Sequence, residues 1–161
     1  MKLTLPILAI AATMFASSAS AFDPADLQKL LDTNECVRCD LREAILWGAS
    51  LADANLSGAD LSGAKLGGAA LGGAALMDAN LSNANMSEAK LWGASLVRAD
   101  LSSADLSGAD LAGANLWGTI LREANLSNAD LSGADLYEAK LMGAILCNTT
   151  VPDESVVYSG C

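Results

Sequence analysis

Four cysteines are the residues of this chain whose type and spacing suggest chemistry most directly. Cys36 and Cys39 form a Cys-x-x-Cys pair, and Cys147 and Cys161 lie near the other end of the sequence. Such residues can exchange disulfides, bind a metal or staple a fold. Redox chemistry of the thioredoxin type needs a βαβ context and an exposed thiolate at a helix start. The sequence around the pair shows no such context, so we favour structural disulfides and keep redox catalysis as an alternative.

Acid–base chemistry has few candidate residues. The chain contains no His, the commonest general base and a frequent metal ligand, so none of its Ser residues can form a Ser–His pair. We therefore predict no catalytic residue, no cofactor and no metal site. An enzyme that works through surface carboxylates alone is kept as a third alternative.

The elements that position these residues follow from a five-residue repeat. Between Cys39 and Cys147 the repeat occurs 22 times, with Leu at the centre (Met86 once) and Ala two residues earlier, except at Cys39 and Thr119. A helix or a flat strand would leave many of these Leu side chains in water, because neither has a period of five. A coil that turns after each unit brings every Leu inward beside a small Ala. The repeat thus predicts a solenoid.

Units such as Ala59-Asp60-Leu61-Ser62-Gly63 and Ala109-Asp110-Leu111 resemble those of the pentapeptide repeat proteins. The resemblance covers residues 39–148. It implies an all-β fold, the right-handed quadrilateral β-helix of that family, with four units per coil. The 22 units would then make 22/4, or about 5.5, coils. Because an open coil end exposes unpaired backbone, we expect both ends to need caps.

Residues 1–21 are interpreted as a secretory signal peptide. Lys2 precedes an apolar stretch from Leu3 to Phe15, and Ala19-Ser20-Ala21 forms a cleavage site before Phe22. We expect an exported protein in the periplasm or outside the cell, or in the thylakoid lumen if the source is photosynthetic. A retained anchor is the alternative, although the stretch is short for a span. After cleavage we expect no membrane partner.

The rest of the chain is divided into three parts, which are an N-terminal helical cap (22–38), the β-helix (39–148) and a C-terminal tail cap (149–161). Asp23 and Pro24 suit the N-cap and first position of a short helix that ends near Asp32. Three apolar residues share one face of this helix and are expected to cover the first coil, namely Leu27, Leu30 and Leu31.

The solenoid separates the cysteines into one pair at each end. The simplest pairing joins Cys36 to Cys39 and Cys147 to Cys161, as expected in an oxidising compartment. A single four-Cys zinc site would require the two ends to meet, which a rod prevents.

The chain is acidic, with a formal charge of −10 that becomes 8 − 19 = −11 once Lys2 leaves with the signal peptide. Some pentapeptide repeat proteins resemble a DNA duplex and bind type II topoisomerases, so the resemblance implies a DNA-mimicking topoisomerase (gyrase) inhibitor as an alternative function. The signal peptide argues against this alternative, since that target is cytosolic. We interpret the charge as a solvated surface and expect no nucleic acid partner.

Residues that are 20 positions apart should fall on one face of successive coils. On one face the residue after the centre is large and apolar in four successive coils, and a fifth such residue lies on the adjoining face, giving Met77, Val97, Trp117, Tyr137 and Trp92. We interpret these as a candidate protein-contact surface. Packing between coils is the alternative.

The same spacing stacks Asp40 with Asp60 and Asp110 with Asp130. Weak Ca²⁺ binding is an alternative to plain solvation there, and solvation is favoured. The leading hypothesis is an exported, non-enzymatic solenoid that acts as a rigid interaction or scaffold module, with an unknown protein partner or self-association.

Overall fold

The computed structural model describes residues 21–161, so the predicted signal peptide lies outside the described residues apart from Ala21. Helix α1 (Pro24–Thr33) comes first in the chain. A long series of coils follows, and two strands, β1 (Leu146–Thr150) and β2 (Val156–Ser159), end the chain. Within residues 21–161, no helix is long and apolar enough to cross a lipid bilayer.

Each coil contains twenty residues. Parallel bridges join residues that are 20 positions apart, from the pair Glu35–Asn55 to the pair Asp130–Thr150. Since one unit has five residues, four units complete a coil. The ladder of bridges runs beyond both ends of the predicted repeat, because Glu35 precedes residue 39 and Thr150 follows residue 148.

A tight turn after each central residue makes the corner. In the unit centred on Leu41, the carbonyl oxygen of Leu41 accepts a hydrogen bond from the Ala44 N–H at 3.1 Å. The third residue of the turn, Glu43, has φ +57°, the positive value that distinguishes type II β-turns. Gly63 occupies the same position one coil later, with φ +67°. Gly is therefore frequent in this column because the turn needs a positive φ at this position.

The interior is filled by the central Leu column and the Ala column. Central residues from Leu41 to Leu131 are at most 3% exposed. Thr119, the exception in the Ala column, is fully buried and donates its hydroxyl hydrogen to the Leu96 carbonyl oxygen at 2.7 Å. Thr149 makes the same bond to Leu126 at 2.7 Å. The Ala column therefore continues one unit beyond the predicted boundary, into the tail.

The Asp and Asn residues before the centres have a local role. Asp60 Oδ1 accepts the N–H of Ser62 at 3.0 Å, and Asn85 Oδ1 accepts the N–H of Ser87 at 3.1 Å. This bond to the backbone two residues on is the usual reason for Asx residues in turns. The bond gives a hydrogen-bond acceptor to a backbone N–H at the corner of the coil, on the side that faces solvent.

Helix α1 closes the N-terminal end. Its N-cap Asp23 accepts the Ala25 N–H at 2.8 Å, and the Asp26 carboxylate accepts the Asp40 N–H of the first coil at 2.8 Å. Leu30 is fully buried against the first coil, whereas Leu31 is 52% exposed. The expectation that Leu31 joins the covering face was wrong, because the contact is made along a narrow stripe through Leu30.

A hairpin covers part of the C-terminal end. Strand β2 pairs antiparallel with β1 on the edge of β1 that faces away from the preceding coil. It therefore lies where a further coil would lie, but only above residues 146–150. Residues 135–144 of the last coil, called here the open half-coil, have no such cover. Accordingly Leu136 and Leu141 are only partly buried.

Candidate protein-contact surface

The four residues of the predicted contact face lie in register on successive coils. We call Met77, Val97, Trp117 and Tyr137 the apolar ladder. The carbonyl oxygens of Val97, Trp117 and Tyr137 accept backbone hydrogen bonds from the preceding coil at 2.9, 2.9 and 2.8 Å. This repeated bond fixes the four side chains one coil apart on the same side of the rod. Met77 is 40% and Tyr137 65% exposed, while Val97 and Trp117 are half-buried.

Trp92 lies on the adjoining face and packs differently from the ladder. A Cβ atom added at Gly72, one coil earlier, would meet the Trp92 ring. The ring therefore lies over Gly72, although it stays 54% exposed. Trp47 covers Gly67 of the next coil in the same manner. These two Trp residues have a packing role between coils in addition to their exposed area.

A charged pair borders the apolar ladder. Arg98 donates two hydrogen bonds to the Asp78 carboxylate, from Nε at 2.7 Å and from Nη2 at 2.9 Å. These bonds hold the pKa of Asp78 below its ordinary value. Because both groups are exposed, the pair contributes little to stability. It gives the apolar ladder a polar rim in two neighbouring coils.

The cysteines are paired as predicted, in two disulfides at opposite ends. Cys36 is bonded to Cys39, and Cys147 is bonded to Cys161. The Asp26 carboxylate lies close to the first pair, and the three ligand atoms are within 4.8 Å of one another. Sulfurs that are joined in a disulfide are not thiolates and cannot serve as metal ligands in the usual way. This cluster therefore functions as part of the N-terminal cap.

The stacked carboxylates are one coil apart, as expected, since Asp40 bridges Asp60 and Asp110 bridges Asp130. Asp60, Asp110 and Asp130 each use Oδ1 to accept the backbone N–H two residues later. Asp40 is instead held by Arg42 through two hydrogen bonds of 2.8 Å, which lower the pKa of Asp40. These oxygens already have partners within their own units.

Sequence analysis did not identify the β1–β2 hairpin or the open half-coil. Residues 149–161 were expected only to form a tail cap, and no periodic signal marks Val156–Ser159 as a strand. The stacking of Trp47 and Trp92 on glycine could have been found, because Gly67 and Gly72 lie 20 positions away from them.

Comparison with known proteins is consistent with this geometry. The family model described as "Pentapeptide repeats" matches residues 35–73, 79–118 and 109–146, with eight copies. No curated protein sequence matches the chain.

Three solved structures illustrate the likeness. A pentapeptide repeat protein of the Arabidopsis thaliana thylakoid lumen is 36% identical, with a TM-score of 0.59, over 63% of this chain and 70% of that one. Rfr23, from the cyanobacterium Cyanothece 51142, is 30% identical, with a TM-score of 0.61, over 84% of this chain and 98% of its own. QnrB1, a plasmid-mediated fluoroquinolone resistance protein, has a TM-score of 0.68 at 21% identity, over 78% of this chain and 63% of its own.

At 21% identity, the likeness to QnrB1 concerns the fold alone. The first two neighbours are themselves pentapeptide repeat proteins, and their fold implies the right-handed quadrilateral β-helix expected from the sequence. Together with the twenty-residue coil and the family match over most of residues 35–146, these findings establish that the chain belongs to the pentapeptide repeat family.

Proposed function

We propose that this protein is an exported, non-enzymatic interaction module that binds a protein partner through the apolar ladder. The observation that carries the proposal is the exposure of large apolar side chains in register on one face. The equivalent position on another face carries Ser87, Ser107 and Ser127, so the coil does not require large residues there. Exposed apolar patches with a polar rim are typical of protein contact sites.

The alternative is that the apolar ladder only packs coil against coil. Trp92 and Trp47 show what such packing looks like in this fold, since each ring lies over a buried glycine of a neighbouring coil. No glycine lies beneath Trp117, because the residues one coil away are Val97 and Tyr137. Side-by-side apolar residues of this kind leave their outer surfaces available to a partner.

The experiment compares two double variants in affinity recovery from the exported fraction of the source cells. Met77→Ser with Trp117→Ser removes two of the four side chains of the apolar ladder. Ile45→Ser with Trp47→Ser is the matched control, since these residues are 66% and 53% exposed on other parts of the rod. We expect the ladder variant to lose its partner while retaining its fold, because aromatic anchors carry much of the energy at an interface. Equal recovery by both variants would contradict the proposal.

Export is supported by the pairing of all cysteines between residues 21 and 161 and by the likeness to a thylakoid lumen protein. Phe22 packs against the core, so a chain that begins there would retain its complete N-terminal cap. Mass spectrometry of the native protein should find Phe22 as the first residue. An intact Met1 on a cytosolic protein would refute export.

An intact Met1 on a cytosolic protein would also favour the DNA-mimicking alternative, which rests on the formal charge of −10. That alternative predicts inhibition of supercoiling by a type II topoisomerase. We expect no inhibition by the purified protein.

A further inference from the structure

Two exposed Trp side chains reach the same coil from opposite sides. Trp47 precedes Gly67 by 20 residues, and Trp92 follows Gly72 by 20 residues. A Cβ atom added at either glycine would meet the corresponding ring, so both indoles lie against the backbone of residues 67–72. The two glycines are buried, while Trp47 and Trp92 are 53% and 54% exposed. The two rings are therefore held at the level of one coil, with about half of each in solvent.

The surface between the two rings is small. Ala70 lies between Gly67 and Gly72 and offers only a methyl group. Five residues span at most about 17 Å when extended, and the turn that joins Leu66 to Ala69 by a backbone hydrogen bond of 3.0 Å shortens this separation. One ligand of moderate length can therefore contact both rings.

The charge near the rings differs from that of the rest of the rod. The residue before each central residue is at least partly exposed, and on the two sides next to the rings these positions carry two cations and no carboxylate, namely Ile45, Lys65, Asn85, Ser50, Ala70 and Lys90. The equivalent positions on the other two sides carry three carboxylates and no cation, namely Glu35, Asn55, Ala75, Asp40, Asp60 and Asn80. In a chain with a formal charge of −10, the surroundings of the rings therefore favour an anion.

Carboxylates border this region. Asp53 and Glu88 lie at corners beside it, and the next coil places Asp105 and Asp110 at the positions that follow Asn85 and Lys90 in the two columns. A long polyanion that runs along the rod would meet these like charges. A short anionic ligand at the level of the rings would not.

The donors around the rings have no partner within the protein. In the described part of the chain both ion pairs use Arg, so neither Lys65 nor Lys90 takes part in one. The indole N–H groups of Trp47 and Trp92 also have no protein acceptor among residues 21–161. Two ammonium groups and two N–H groups therefore remain available to the acceptor oxygens of a ligand.

The backbone beneath the rings has no unpaired edge. The Ala70 N–H donates to the Ala49 carbonyl oxygen at 2.9 Å, and the Leu71 N–H donates to the Lys90 carbonyl oxygen at 2.8 Å. A peptide cannot add here as a further strand, because strand addition needs free backbone groups. Recognition must use side chains, and these are aromatic rings and hydrogen-bond donors.

We propose that Trp47, Trp92, Ala70, Lys65 and Lys90, called here the indole site, bind an acidic saccharide. The C–H groups on one face of a sugar ring are slightly positive and pack against the negative face of an indole. The carboxylates of uronic acid units accept hydrogen bonds from the two ammonium groups, and hydroxyl oxygens accept from the indole N–H groups. The small Ala70 leaves room for the sugar that links the two rings. The indole site shares no residue with the apolar ladder.

The test is titration calorimetry of the purified protein, with both disulfides intact, using tetragalacturonate as the probe. Lys65→Gln with Lys90→Gln should raise its dissociation constant by about ten-fold, because two exposed ion pairs are lost. Lys29→Gln with Lys140→Gln is the matched control, since it removes two exposed charges in α1 and in the open half-coil. The control should change the dissociation constant by less than about three-fold.

Fluorescence reports on the rings directly. The chain has three Trp residues, so Trp117→Phe leaves Trp47 and Trp92 as its indoles. Tetragalacturonate should change the emission of this variant as it changes that of the wild type. Trp47→Leu and Trp92→Leu should each raise the dissociation constant by about five-fold or more, with circular dichroism as the check on folding.

The methyl ester of tetragalacturonate separates charge from stacking, because it keeps the sugar rings without the carboxylates. We expect it to bind about ten-fold more weakly than the acid. Absence of binding by the wild type would overturn the proposal, as would equal affinity for acid and ester or equal losses in the two pairs of Lys variants.

Two further measurements identify the class of ligand and the surface. Tighter binding of a short single-stranded oligonucleotide, lost in the variant that changes Lys65 and Lys90, would assign the site to nucleic acid and refute the saccharide. The Met77→Ser, Trp117→Ser variant should bind tetragalacturonate with the affinity of the wild type. Failure of the apolar ladder to bind a protein partner would therefore leave the indole site unaffected.

Discussion

The two ends of the rod are closed by different elements and to different extents. At the N-terminal end, α1 buries Leu30 completely and supplies the carboxylate of Asp26 to a backbone N–H of the first coil. At the C-terminal end, β2 adds one strand and leaves Leu136 and Leu141 partly exposed. The helix closes the first coil through Leu30 and Asp26, and the central residues of that coil from Leu41 to Leu51 are at most 3% exposed. A strand satisfies one edge only, so half of the last coil is left available.

Shortening one Leu at each end should reveal the largest difference between the two ends. Leu30→Ala should lower the free energy of unfolding by about 2–5 kcal/mol, because it leaves a cavity beneath α1. Leu141→Ala should cost only about 1 kcal/mol, since its side chain is already partly in water. Denaturant unfolding at low protein concentration measures both. Equal losses would mean that the C-terminal end is as well covered as the N-terminal end.

The disulfides provide the next test. Cys36 and Cys39 are at most 3% exposed, whereas Cys161 is exposed. Under graded reductant, alkylation followed by mass spectrometry should therefore modify Cys147 and Cys161 first. Loss of that bridge, which spans 14 residues, should lower the free energy of unfolding by about 3 kcal/mol. Earlier modification of Cys36 and Cys39 would show that α1 opens before the hairpin does.

Backbone strain offers a smaller effect at each end. Glu43 in the first complete coil and Glu138 in the open half-coil have φ +57° and +58°. Gly adopts this conformation without the steric penalty that Glu has, and the larger entropy that Gly loses on folding offsets part of this gain. Replacement of either Glu by Gly should therefore stabilise the fold by a net amount of roughly 0.5–1 kcal/mol. Thermal unfolding compares the two. A gain at Glu43 without one at Glu138 would show that the open half-coil is frayed in solution.

The smallest expected difference is electrostatic. Hydrogen bonds from Arg42 lower the pKa of Asp40, and hydrogen bonds from Ser155 lower the pKa of Asp153. Because the pKa is lowered, each interaction contributes to the stability of the fold at a pH above the ordinary pKa of Asp. That contribution is lost as the pH falls through the lowered pKa. Carboxyl NMR titration should show that added salt raises the pKa of Asp40 and leaves that of Asp153 almost unchanged. Salt screens an exposed ion pair more than a bond to a neutral group.

The repeat made the coil predictable from the sequence. Every central Leu and every Ala is placed by its own unit and by the units 20 positions away, so one local rule applies throughout. The pairing of Cys36 with Cys39 followed from the same register. Ladder positions such as Val97 and Trp117 could be assigned to one face for this reason, although the sequence did not indicate that both would be half-buried.

The tail does not follow the five-residue repeat. Thr149 keeps the register, but the residues after Val151 carry no five-residue pattern, and the antiparallel return of β2 reverses the direction that the repeat sets. Whether the tail covers all or half of the last coil depends on contacts between the tail and that coil, and not on the composition of the tail or of the coil alone.

Spacing along the chain therefore predicts the solenoid, its buried columns and the location of two cysteines at each end, whereas the structure gives the disulfide connectivity. Only the tertiary structure decided how each end is closed, which Trp rings lie on glycine and which apolar residues stay in contact with water. Those properties depend on how separate segments share one surface, and for a rod that surface is formed only after the coils have stacked.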